Sequence, residues 1–125
     1  MELMTKELEE KFEKYPIGSQ DGLWLNAKVV VKYFNPCGAG TWLITEGNKL
    51  DDGDYELYGY CNLGDSEMAE YGYVSLNELK SIKLPFGLTI ERDLYMEEDC
   101  TMEQAMLSSG IDIPEWLKDK KDIEL

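Results

Sequence analysis

Apolar residues recur at helical spacing near the start of the chain, where Leu8, Phe12 and Tyr15 fall on one face. Thr5 stands where an N-cap belongs, and Pro16 stops the pattern. After the polar linker "IGSQDG" the period changes. "LNAKVVVKYF" is rich in β-branched and aromatic residues and reads as a central strand. "NPCGAG" is a turn. "TWLITEG" and "DYELYGYC" read as two further strands joined by "NKLDD". Strict alternation puts Trp42, Ile44 and Glu46 on one face of the first, with Leu43 and Thr45 on the other. "NLGDSEMAE" is a loop and "YGYVS" a short strand.

"SLNE" at Ser75–Glu78 fits a capping box, and Leu76, Leu79 and Ile82 give the helix that follows a buried side. Pro85 and Gly87 end it, and "LTIERDLYM" reads as the last strand. Thr101 and Gln104 form another capping box, and Pro114 opens a second short helix. The pattern predicts an α+β fold: an N-terminal helix, a mainly antiparallel sheet of four to five strands, a crossover helix and a short helical C-terminal tail. Residues 1–96 would form one domain, with 97–125 as a helical extension packed on it or trailing from it.

Charge changes the picture. The chain has 125 residues with 26 acids against 12 bases, a net charge of −14. Such a chain repels a phosphate backbone, so direct nucleic-acid binding is not expected, nor is an anionic membrane surface. The acids cluster. Glu46, Asp51, Asp52, Asp54, Glu56, Asp65, Glu67 and Glu70 face Lys49 alone, giving that segment −7. Glu91 to Glu103 carries a further −5. The first group is a candidate docking surface for a basic surface on a host or element-encoded protein. Cys37, Cys61 and Cys100 make an odd count without metal-ligand spacing, which fits reduced thiols in a cytoplasm. No apolar run is long enough to span a membrane, and "MELMTKELEEKFEK" lacks the apolar stretch of a signal peptide.

The residue types narrow the chemistry. The chain has no histidine, which removes His-based nucleophilic catalysis and mixed Cys/His zinc sites. A calcium loop starting at Asp51 would put Gly53 at position 3, Tyr55 at position 5 and Asn62 at position 12, so that pattern fails. Asp52–Gly53 is instead a good turn. No spacing singles out an acid–base pair of carboxylates. The residues thus name no catalytic group and no cofactor, and for a metal they offer only a loose, unspecific Mg²⁺ or Ca²⁺ site at Asp51, Asp52 and Asp54, which the turn outweighs. Arg92, the only arginine, sits within "IERD". Alternation puts it on the face of Ile90, with Glu91 and Asp93 opposite. Either it makes a structural ion pair with a nearby carboxylate or the Glu91–Arg92–Asp93 group binds a ligand.

"VVVKYFNP", "TWLITEG", "DDGDYELYGY", "YGYVSLNELKSI" and "PFGLTIERDLY" together resemble a small bacterial family known as a domain of unknown function, number 2958. The resemblance covers about Met1 to Met96 and includes Lys32, Trp42, Glu46, Gly59, Gly72, Leu79, Gly87, Glu91, Arg92 and Asp93. It implies a protein of conjugative elements, plasmids or phages, with no activity to carry over. Small size, acidity and the lack of catalytic machinery lead to the expectation of a non-enzymatic protein-binding protein. An anti-defence inhibitor of the anti-CRISPR type, docking on a basic nucleic-acid groove, leads. An accessory module of conjugation or replication machinery is the alternative, and a carboxylate-dependent enzyme the second alternative.

Overall fold

The computed structural model describes residues 1–65 and 68–123, with side chains through residue 120. Helix α1 (Lys6–Lys14) forms where its apolar spacing puts it. The Thr5 side chain accepts from the Leu8 N–H at 3.2 Å, satisfying one of the donors that a helix start leaves open. Leu8 and Phe12 face the sheet.

Five strands follow: β1 (Val31–Phe34), β2 (Thr41–Lys49), β3 (Tyr55–Asn62), β4 (Glu70–Ser75) and β5 (Glu91–Arg92). Their spatial order is β4-β3-β2-β1-β5, and every neighbouring pair is antiparallel. Helix α2 (Leu76–Ser81) opens the crossover that carries the chain from the β4 edge to the β5 edge.

Helices cover both faces of the sheet. On one face α1 and α2 bury Phe12, Leu76 and Leu79 against Ile44 and Leu57. On the other, α3 (Met102–Ser108) and α4 (Glu115–Ile123) bury Met102, Met106 and Leu117 against Leu43 and Tyr60. Each such buried aliphatic side chain contributes about 1.5–3 kcal/mol. The capping box at the start of α3 is complete: Thr101 Oγ accepts from Gln104 N, and the Gln104 side chain accepts from Thr101 N. The segment leading into α3 is also tied down by backbone bonds from Val29 N to Cys100 O and from Met102 N to Ala27 O, each 2.8 Å.

Two expectations are corrected here. The last strand is only two residues long, because only Glu91 and Arg92 find partners, Phe34 and Tyr33, on β1. The strict alternation along β2 fails at a β-bulge. Ile44 pairs with Gly59 and Glu46 with Tyr58, so Thr45 is the extra residue. The bulge turns Glu46 away from Trp42 and Ile44 and onto the face that carries Tyr58.

Candidate functional site

The tip of the β2–β3 hairpin is a turn. Leu50 N–H donates to Asp54 O at 2.8 Å, Asp54 N–H donates to Asp52 Oδ1 at 2.9 Å, and Gly53 takes a φ of +88°. Asp51 and Asp52 are exposed there, as are Glu56 on β3, Asp65 in the following loop and Glu70 on β4. Glu67 lies outside the described residues.

Two acids of the group do not face solvent as a docking charge must. Glu46 is 2% exposed. Its Oε1 accepts from Gly18 N at 2.8 Å and its Oε2 from Gln20 N at 2.9 Å. The bulge delivers the carboxylate to the loop that follows α1. There the Gln20 side chain in turn accepts from Lys28 N and donates to Lys28 O and Thr45 O. Asp54 is 9% exposed and binds the start of α2. Its Oδ1 accepts from Tyr55 N at 2.7 Å and from Asn77 N at 3.0 Å, and its Oδ2 accepts from Ser75 Oγ at 2.5 Å. Both carboxylates are fully engaged in holding backbone and a helix start.

The hydrogen bond from Ser75, with those from Asn77 and Tyr55, outweighs burial and lowers the Asp54 pKa below its usual 3.8. A group depressed in the folded state contributes stability that is fully present above 3.8 and is lost as pH falls through the lower folded value. Asp54→Asn should therefore be less stable than wild type at pH 6, and the two should converge in acid. Urea midpoints measured from pH 6 downward test this. A gap that does not change with pH would show that the carboxylate's charge is irrelevant.

The Glu91–Arg92–Asp93 group also differs from expectation. Arg92 makes no carboxylate pair among the described residues; its Nε donates to the Glu2 carbonyl at 3.1 Å, and its backbone N–H lies 3.1 Å from Met1 Sδ. The N-terminal residues thus occupy the outer side of β5. The ion pair forms instead between Lys32 Nζ and Asp93, at 3.7 Å and half-buried. Lys32 Nζ also donates to Ser109 Oγ at 2.9 Å. Glu91 pairs across to Phe34 and is partly exposed.

The sequence reading missed the most distinctive surface. Tyr58–Gly59–Tyr60 on β3 lies antiparallel to Tyr71–Gly72–Tyr73 on β4, with glycine opposite glycine. The tyrosines gather on one face: Tyr58 and Tyr71 stack at 6.1 Å, Tyr58 and Tyr73 meet at 4.9 Å, and Trp24 stands edge-on to Tyr71 at 5.3 Å. On the other face, beside Gly59 and Gly72, lies a cavity of about 340 Å³, and a Cβ on Gly72 would meet nothing within 4 Å there. Trp42 and Ile44 line it, with Cys61 and Val74 beside the glycines and Asp65 and Glu70 also on its lining. Burial, and then the charge of Glu70, push the Cys61 thiol pKa up, which makes it a poor nucleophile. The signal that would have found this site is the repeated Tyr-Gly-Tyr, read together with the strand register.

Among the described residues no three carboxylates or thiols converge as a cation site, and no helix is long and apolar enough to cross a membrane. Fold and surface together define a small α+β domain with an acidic hairpin and a hollowed sheet edge. The profile of a family described as proteins of unknown function, DUF2958, matches residues 3–108, and the chain belongs to that family. The match runs past Met96 and takes in α3. No curated protein and no solved structure matches the chain.

Proposed function

We propose that the protein acts by docking on another protein and not by catalysis. Its exposed acids Asp51, Asp52, Glu56, Asp65 and Glu70 would meet a basic surface such as the nucleic-acid groove of a host defence nuclease. The observation that supports this best is the division among its acids. Glu46 and Asp54, whose burial would otherwise suit them to acid–base chemistry, spend both oxygens on structural hydrogen bonds. Asp51, Asp52 and Glu56 are exposed at one end of β3, and Asp65 and Glu70 are exposed at the other. An anti-CRISPR-type inhibitor of a mobile element would work this way, in keeping with the setting that the family resemblance implies.

The test changes charge while keeping the turn: Asp51→Lys, Glu56→Lys and Asp52→Asn together, the asparagine retaining an Oδ1 that can accept from Asp54 N, with Asp54 untouched. These sites are exposed, so the fold should hold to within about 0.5 kcal/mol for each change. Binding to purified guide-loaded nucleases should weaken as salt rises, because exposed charges are screened beyond about 8 Å at physiological ionic strength. The triple variant should bind roughly tenfold more weakly, or worse. Equal affinity of variant and wild type would remove the acidic face from the interaction. Salt-sensitive binding to a relaxase or replication protein, with none to a nuclease, would make it an accessory module instead.

A further inference from the structure

We propose that the outer edge of β4 receives an extended basic segment of a partner protein, which pairs as an added strand and lays one apolar side chain into the cavity beside Gly72. The proposal deepens the reading of this protein as a docking partner and rests on it.

The two edges of the sheet are not alike. β5 is two residues long, and Met1 and Glu2 lie along it. β4 is six residues long, and among the described residues its ladder runs to β3 alone. Such an edge offers a row of backbone donors and acceptors to a new strand. Alternation puts Glu70, Gly72 and Val74 on the cavity face, and Tyr71 and Tyr73 on the other. A Cβ built on Gly72 would meet nothing within 4 Å. A strand added beside β4 would sit about 4.8 Å away, so its residue next to Gly72 could reach over the glycine toward Trp42 and Ile44. The cavity's volume of about 340 Å³ lies within the range of ligand pockets.

Charge chooses the occupant. Glu70 is the next residue along the same face, and Asp65 shares the cavity lining. Glu56 stands on the tyrosine face. Lysine or arginine in the incoming strand would meet these acids, and on the far face would lie over the exposed Tyr73. A second copy of this chain would bring Glu70 and a net charge of −14 against its like.

The probe is a pool of hexapeptides in which lysine or arginine alternates with leucine, methionine, phenylalanine or valine. The full chain, labelled with ¹⁵N and with ¹³C methyls, is titrated with it to millimolar concentration. Amides of residues 70–75 and methyls of Ile44 and Val74 should shift. Gly72→Val puts a branched side chain where a Cβ meets nothing within 4 Å; it should weaken binding roughly tenfold while the melting temperature holds or rises. Methylating the peptide amides that would pair with β4 should weaken binding to wild type to a similar degree, whatever the variant does. No shift on β4, or equal binding of the variant and of the methylated pool, would overturn the proposal. So would β4 shifts that appear without peptide as the protein is concentrated, which would mark a second copy. If the hairpin charges govern nuclease docking while the peptides fail, the docking reading stands and the added strand does not. If the peptides bind and no partner responds to charge, the reverse holds.

Discussion

Gly59→Ala should cost at least about 3 kcal/mol, while Gly72→Ala, directly across the ladder, should be neutral or slightly stabilising. The two glycines share a sequence context and a face, yet their surroundings differ. A Cβ on Gly59 would lie 2.0 Å from Leu43 O and 2.8 Å from the Ile44 Cα. Both obstacles are backbone, held by the ladder next to the bulge, so no side-chain rotation relieves them. The β2 strand would have to move and give up pairing with β3. On Gly72 the same atom meets open space. For a domain of this size the first change should lower the melting temperature by roughly 10 °C, and the second should leave it within a few degrees. If Gly59→Ala melts with wild type, the bulge is soft and the close approach of β2 to β3 is not what requires glycine.

The contrast shows what a sequence displays and what it conceals. Short-range chemistry was legible. Thr5, Ser75 and Thr101 each accept the N–H three residues on, because a cap needs only its own helix. The β2–β3 hairpin was legible too, since Asp52–Gly53 sets the turn and the alternating runs on each side set the pairing. The bulge was not. Nothing within "LITEG" marks Thr45 as the extra residue; its carbonyl is taken up by Gln20, 25 positions away. One such residue moves every later side chain to the other face. Glu46, placed beside Trp42 and Ile44 by alternation and in the docking group by charge, lies on the opposite face and is buried. The same limit hid the cavity. Tyr-Gly-Tyr is visible twice along the chain, but only the register places Gly59 opposite Gly72, the first closed against the β2 backbone and the second open to the hollow. The acidic group divides for the same reason: its exposed members follow from composition, and its buried members depend on contacts distant in sequence.

Glu46→Gln should destabilise the protein by about 2–4 kcal/mol, although it changes one heavy atom. The carboxylate accepts at both oxygens, from Gly18 N at 2.8 Å and Gln20 N at 2.9 Å. An amide offers one acceptor and sets an N–H₂ group against the other N–H. One charge-assisted bond becomes a contact between two donors, at a site 2% exposed where water is not at hand to repair it. The loss should spread along a defined route. Glu46 holds the Gln20 backbone, and the Gln20 side chain satisfies Lys28 N, Lys28 O and Thr45 O where the chain approaching β1 meets the bulge. Amide exchange should therefore quicken together at Gly18, Gln20 and Lys28, while the hydrogen-bonded amides of the β3–β4 ladder change only with global stability. Gln20→Ala should loosen the same set, and the double variant should cost less than the two single changes added, because each removes support the other needs. Strict additivity, or quickened exchange confined to Gly18, would mean that the loop and the bulge are held independently.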